Sequence, residues 1–119
     1  MYKIGIIEKI HESGIELLKN TKNFEYEIIE DVSQDNLIKV LPKFDGVTLR
    51  VAKLNSTILK NCKKLKVISR HGVGYDNVDL KYLKENKIKL LITATANAVS
   101  VAEHVMYMLL SLSKGITKY

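Results

Sequence analysis

The hydrophobic positions of this chain change repeatedly between short apolar runs and helix-like spacing. Short apolar or alternating runs bounded by polar and turn-forming residues are typical of β-strands. The segment Phe24–Ile29 alternates apolar residues with glutamate, which favours a half-exposed strand at the edge of a sheet. The predicted strands are Lys3–Glu8, Phe24–Ile29, Gly46–Leu49, Leu65–Ser69 and Lys87–Thr93.

The segments between these strands have helical spacing and carry residues that start or stop helices. Ser33 can cap a helix that Pro42 ends, because proline cannot continue a helical hydrogen-bond pattern. Asn55 or Ser56 can cap the next helix, and Asp79 can cap the one after it. Strands that alternate with helices predict a parallel sheet with helices on both faces. We therefore predict an α/β fold, a flavodoxin-like doubly wound sheet of about five strands in the order 2-1-3-4-5.

The last helix, predicted from Ser100 to about Lys114, has an unusual distribution of apolar residues. Ser100 and Glu103 fit the capping box that opens many helices. Apolar side chains cover most of the helix circumference, whereas a helix on one sheet needs a single apolar stripe. We expect this helix to be covered on two sides, with the second partner outside this sequence, and to drive self-association where it is uncovered.

Composition and charge indicate an ordinary globular domain and narrow its possible partners. Of 119 residues, 46% are hydrophobic and 27% are charged. We expect no membrane segment, because no apolar run reaches the roughly 18 residues that span a bilayer. Cys62 is the single cysteine, which fits a reducing cytoplasm and makes a structural metal site improbable. The net charge of +6 is spread over the chain without a basic stripe, so we predict no nucleic-acid partner.

The unusual residues follow three neighbouring strands of the predicted sheet. Arg50 follows the third strand, the segment Arg70–Gly74 follows the fourth, and Thr93–Ser100 follows the fifth. Ligands of such sheets bind beyond the carboxyl ends of the strands, so these segments should form one rim. A guanidinium beside free backbone N–H groups suits a small carboxylate or phosphate. His71 lies on the same rim and is a candidate for ligand contact. A turn that only needs glycine flexibility would explain Gly72 and Gly74 equally well.

The glycines at positions 72 and 74 do not form a dinucleotide-binding loop. Such a loop has the pattern G-x-G-x-x-G, opens directly into a helix, and is followed by an acid about 20 residues later. Asn77 occupies the third glycine position, and the next strand ends without an acid. We interpret Asp76, Asn77 and Asp79 as groups at a helix start rather than metal ligands.

Two long motifs resemble the D-isomer-specific 2-hydroxyacid dehydrogenases, and within them the phosphoglycerate dehydrogenase type. They are "SRHGVGYDNVDL", which is similar to R-x-G-x-G-x-D-N-V-D, and "NAVSVAEHVMYMLLSLSKGI", which contains N-x-x-S-V-A-E-H. The segment "TLRVAKLNSTILKNCKKLKVI" also resembles the family, so the resemblance is clear from about residue 45 to 116.

The resemblance implies a two-domain enzyme that transfers hydride between NAD and a small 2-hydroxy or 2-oxo acid. It implies that Arg50 and the backbone of Gly72–Gly74 bind the substrate carboxylate. Asn97 would lie near the same cleft, and Val73 would also contact the nicotinamide end of the cofactor. Residues 1–99 would be the substrate-side domain, and residues 100–119 would lead into an NAD-binding domain.

The family's dinucleotide loop and its catalytic Arg, Glu and His would come after position 119. We therefore expect no catalytic residue, no tight NAD binding and no activity in this chain alone. Two alternatives remain open. The chain could be a standalone carboxylate-binding or regulatory domain, or a remnant that associates with a full-length homologue.

Overall fold

The computed structural model describes residues 1–116 and contains one five-stranded parallel sheet. The strands lie in the order β2-β1-β3-β4-β5, so the predicted α/β fold and strand order are confirmed. The strands are β1 (Tyr2–Ile7), β2 (Phe24–Ile29), β3 (Gly46–Leu49), β4 (Val67–Arg70) and β5 (Lys89–Ile92). The helices are α1 (Glu12–Asn20), α2 (Gln34–Val40), α3 (Ser56–Leu59), α4 (Leu80–Glu85) and α5 (Ala98–Lys114).

The strand boundaries differ from the sequence prediction mainly at β4 and β5. Strand β4 begins two residues later than predicted and includes Arg70, since Leu65 still belongs to the turn that follows α3. Strand β5 is shorter at both ends, and its later start follows from Lys87, whose positive φ of 55° is incompatible with a strand. Strand β2 lies at the sheet edge, as its alternating pattern predicts.

The main core lies on one face of the sheet, beneath α2, α3 and α4. Val47, Leu49 and Ile68 point from the central strands into this core and are almost fully buried. Leu37 from α2 and Leu83 from α4 complete the same cluster. Burial of these side chains from both the sheet and the helices is the principal stabilisation of the fold.

The opposite face of the sheet is covered less completely. Helix α1 covers its β1 end, where Ile6 and Ile15 are buried. The register places Ile6, Thr48, Ser69 and Leu91 in one row across that face. The exposed fraction rises along the row to 56% at Leu91. A parallel sheet normally has both faces covered, and here the β4–β5 side of this face is open.

The short helices start where the sequence predicts. Ser33 accepts a hydrogen bond from the Asn36 amide at 3.4 Å, and Asp79 accepts one from the Tyr82 amide at 3.0 Å. Asn55, rather than Ser56, caps α3. After Val40 the chain tightens into a 3₁₀ turn that contains Pro42.

Helix α5 begins two residues earlier than predicted, so the predicted capping box is wrong. Asn97 occupies the cap position without a side-chain hydrogen bond, and Ser100 lies inside the first turn. The helix ends at Gly115, whose φ of 63° is the left-handed conformation that terminates many helices.

Helix α5 projects away from the sheet and is exposed around its circumference. None of its residues is buried, and the exposed fractions of its apolar side chains range from 44% at Val105 to 79% at Leu112. The radius of gyration is 18.0 Å, whereas a compact domain of this length has about 14 Å. No helix within residues 1–116 is both long and apolar enough to cross a membrane.

Candidate functional site

The loops that follow β3, β4 and β5 are joined by hydrogen bonds at the carboxyl edge of the sheet. The His71 amide donates to the Leu49 carbonyl at 2.7 Å, and the Thr93 amide donates to the Gly72 carbonyl at 3.1 Å. The Asn77 side chain donates to the Arg50 carbonyl at 3.2 Å. The three segments singled out in the sequence therefore form one continuous rim.

The two arginines of the chain have different roles on this rim. Arg70 is half-buried; its Nε donates to Asn77 Oδ1 at 3.3 Å, and its guanidinium also donates to the His71 carbonyl. Arg50 is exposed, and within residues 1–116 its guanidinium makes neither a hydrogen bond nor an ion pair. Arg50 is thus the arginine that remains available to an external anion.

The fold constrains the two glycines after β4, Gly72 and Gly74, differently. Gly72 has a φ of 153°, and a Cβ there would lie 2.7 Å from Cζ of Arg70. A side chain at this position is therefore strained by the backbone conformation and would require the Arg70 guanidinium to move. A Cβ at Gly74 would meet only Asp76 Oδ1, at an ordinary 3.4 Å, and Gly74 has no positive φ. The fold therefore does not require glycine at position 74.

The backbone donors of this loop are also unequal. The Gly72 amide donates to the Arg70 carbonyl at 3.0 Å. In the described part of the chain, the amides of Val73 and Gly74 have no protein acceptor, and both residues are exposed. Successive free N–H groups and a free guanidinium are donors of the kinds that bind carboxylates.

The remaining predicted site residues are less closely connected to this arrangement. His71 is exposed and lines an open cleft of about 450 Å³ together with Thr48, Ser69 and residues of α1, but Arg50, Val73 and Gly74 do not line that cleft. Asn97 is exposed at the start of α5, and its carbonyl accepts from the Val101 amide. Its side chain makes no hydrogen bond to the rim in residues 1–116.

Two further residues organise the rim, and sequence reasoning did not assign them this role. Asn77 was interpreted as a helix-start group, yet its side chain connects the loops that follow β3 and β4. Glu8 follows β1, and its Oε2 accepts from the amides of Val51 and Ala52 at 2.8 and 3.0 Å. The position of Asn77 inside the glycine motif was the only local signal, and Glu8 had none.

The glycine loop of the rim does not have the form of a nucleotide-phosphate loop. After Gly74 the chain turns through Asn77, and α4 begins only at Leu80, so the glycines do not open into a helix N-terminus. Residues 1–116 therefore do not provide the phosphate cradle that NAD requires. Within the same residues, no three His, Cys, Asp or Glu side chains come together as a metal-binding group.

A five-stranded parallel sheet in the order β2-β1-β3-β4-β5 defines the flavodoxin-like class of α/β domains. Residues 4–118 match the family described as "D-isomer specific 2-hydroxyacid dehydrogenase, catalytic domain". The chain belongs to this family, as its two motifs predict.

Similar proteins of the family come from several organisms. The chain is 34% identical over 118 residues to a hydroxypyruvate reductase of Thermotoga maritima, covering 98% of this chain and 38% of that protein. It is 29% identical over 115 residues to a D-3-phosphoglycerate dehydrogenase of Archaeoglobus fulgidus, covering 96% of this chain and 22% of that protein. The chain thus spans well under half of the length of these relatives.

Solved structures are similar in the same region. An NAD⁺-bound 3-phosphoglycerate dehydrogenase of Entamoeba histolytica superimposes with a TM-score of 0.79 at 28% identity, covering 92% of this chain and 38% of that chain. A protein of Pyrococcus horikoshii superimposes with a TM-score of 0.87 at 31% identity, covering 98% of this chain and 35% of that chain.

Proposed function

We propose that this chain is the substrate-side portion of an NAD-dependent oxidoreductase that acts on the CH–OH group of a small D-2-hydroxy acid. In this proposal Arg50 and the backbone of Gly72–Gly74 hold the substrate carboxylate. The observation that carries it is the free guanidinium of Arg50 on the same rim as the free amides of Val73 and Gly74.

The chemistry of a carboxylate suits these groups. An ionised carboxylate accepts up to four hydrogen bonds, and a guanidinium can donate two parallel ones to it. The relatives are named for hydroxypyruvate and phosphoglycerate, which share a carboxylate next to an oxygenated carbon. Recognition of that shared group explains why one rim could serve acids that differ elsewhere. The exposed His71 and Asn97 are proposed to contact the remainder of the substrate.

The cofactor of the complete enzyme is proposed to be NAD, which supplies or accepts the hydride when bound. Val73, whose side chain is 41% exposed, is the residue of this chain proposed to contact the nicotinamide end. Because the rim does not fit the dinucleotide phosphates, residues 1–119 alone should neither bind NAD tightly nor catalyse hydride transfer. The unpaired thiol of Cys62 supports a cytoplasmic location for the enzyme.

The organisation around α5 is also a proposal. Residues 1–99 would form the substrate-side domain, and residues 100–119 would lead into the NAD-binding domain. The exposed apolar surface of α5 supports a partner on this helix. In the 119-residue chain, a second copy is the proposed partner.

Amide chemical-shift mapping with oxalate tests the carboxylate site directly. Oxalate is a small, unreactive acid, and we expect weak binding, roughly millimolar, with shifts centred on Val73, Gly74 and the loop of Arg50. Replacing Arg50 with lysine keeps the charge but loses the planar fork, so the affinity should fall about tenfold.

Lys63→Gln is a control for net charge, because it removes one positive charge beside Met1 and Lys3 at the opposite edge of the sheet. This variant should bind oxalate like the unchanged chain. Shifts confined to surfaces away from Arg50 and Gly72–Gly74, or equal losses in both variants, would contradict the proposed site.

A further inference from the structure

The loop Arg50–Ala52 is held by side chains on both its donor and its acceptor groups. Glu8 Oε2 accepts from the amides of Val51 at 2.8 Å and of Ala52 at 3.0 Å. Asn77 Nδ2 donates to the carbonyls of Arg50 at 3.2 Å and of Ala52 at 2.8 Å. Four backbone groups of a three-residue loop are therefore bound by two side chains from other parts of the chain.

We propose that Glu8 and Asn77 are positioning residues that clamp this loop and so fix the backbone of Arg50 on the rim that also carries the amides of Val73 and Gly74. The proposal rests on the proposed function, because it concerns the same carboxylate site. Neither residue would touch the substrate.

The orientation of the Asn77 amide follows from its neighbours. Arg70 Nε can only donate, so it must face the amide oxygen, at 3.3 Å. The carbonyls of Arg50 and Ala52 can only accept, so they must face the amide nitrogen. One side chain thereby joins the loop of Arg50 to Arg70. Since Arg70 also donates to the His71 carbonyl, the connection extends to the residue before Gly72.

The conformation of Glu8 indicates that its placement is specific. It is a non-glycine residue with a φ of 67°, a conformation that costs roughly 1 kcal/mol or more. Its carboxylate occupies the two adjacent amides of Val51 and Ala52, which could otherwise attract an external anion. The external carboxylate is left with Arg50 and the amides of the glycine loop.

Stability alone does not account for the clamp. Arg50 and Val51 are exposed, so their backbone groups could bond to water with little net loss, whereas the amide and carbonyl of the buried Ala52 do need protein partners. Dedicated side-chain partners for exposed backbone groups chiefly reduce the number of conformations of the loop. A fixed loop lowers the entropic cost of binding, which is the advantage of preorganisation.

Two neutral substitutions of Glu8, which differ only in side-chain length, provide the sharpest test in the 119-residue chain. Glu8→Gln keeps an oxygen at the same reach, whereas Glu8→Asn is one methylene shorter and tolerates a positive φ well. Both variants remove the negative charge, so their difference reports the hydrogen bonds. We expect Glu8→Gln to bind oxalate within about threefold of the unchanged chain, and Glu8→Asn to bind about fivefold more weakly than Glu8→Gln.

Asn77→Ala tests the second half of the clamp, with Asn61→Ala as its control. Asn61 lies in the turn after α3, and its side chain makes one hydrogen bond, to the Thr57 carbonyl of that helix at 3.0 Å. We expect oxalate affinity to fall about fivefold or more in Asn77→Ala and to stay unchanged in Asn61→Ala. Urea unfolding of each variant identifies any general loss of structure.

Hydrogen exchange of the Val51 and Ala52 amides separates the clamp from the proposed function. Both amides should exchange faster in Glu8→Asn and Asn77→Ala than in Glu8→Gln. Unchanged exchange in both variants, or unchanged oxalate affinity in both, would overturn the clamp. If the unchanged chain gave no oxalate shifts at Val73 and Gly74, the proposed function would fail, while the exchange data would still decide whether the loop is clamped.

Discussion

Replacing Gly72 with alanine should destabilise the chain markedly, because two independent features exclude a side chain there. The φ of 153° belongs to a region that is nearly restricted to glycine, and such strain costs about 1–3 kcal/mol. The new Cβ would also lie 2.7 Å from Arg70 Cζ, so the guanidinium must move away from Asn77. Loss of that hydrogen bond adds about 1 kcal/mol. The expected decrease in the free energy of unfolding is therefore roughly 2–4 kcal/mol.

Gly74→Ala is the matched comparison two residues away. Its Cβ would make one ordinary contact, 3.4 Å from Asp76 Oδ1, and its φ is not positive. The free energy of unfolding should change by no more than about 0.5 kcal/mol, or rise slightly because alanine restricts the unfolded chain. Urea unfolding followed by circular dichroism measures both variants. Equal destabilisation by the two substitutions would refute the assignment of Gly72 to the fold and Gly74 to the ligand.

Three further predictions concern α5, Cys62 and Asp31. Leu109 is 56% exposed on the uncovered helix α5, so Leu109→Gln should weaken the concentration-dependent self-association that light scattering measures. An unchanged chain that stays monomeric at high concentration would contradict the proposed association. Burial raises the pKa of the Cys62 thiol to about 11, so iodoacetamide should label this thiol slowly at pH 8 until urea unfolds the chain. For the same reason the free energy of unfolding should fall as the pH rises from about 9 toward 11. Rapid labelling of the native chain would contradict this prediction. The Ser33 amide donates to Asp31 Oδ1 at 2.9 Å and lowers the pKa of the Asp31 carboxyl. The small contribution of this ionised carboxyl to stability should persist above its ordinary pKa and disappear as the pH falls through its lowered pKa. A carboxyl titration by NMR measures this pKa.

Much of the fold could be predicted from local pattern. The switch between apolar runs and helical spacing identified all five strands and their order, because alternating strands and helices allow few arrangements. Ser33 and Asp79 could be identified as caps, since a capping side chain bonds to amides two or three residues later in the same segment. The capping box at Ser100 was wrong because Asn97 already starts the helix and needs no side-chain bond to do so.

The sequence by itself determined the α/β fold, the rim at the carboxyl edge and the family, since these depend on local periodicity and contiguous motifs. Only the tertiary structure decided that Arg50 is free and Arg70 is occupied, and that Glu8 and Asn77 hold the loop between them. Glu8 lies 43 positions from Val51, and Asn77 lies 27 positions from Arg50. No local pattern encodes such partners, because their hydrogen bonds exist only after the parallel strands have brought their carboxyl ends to one edge.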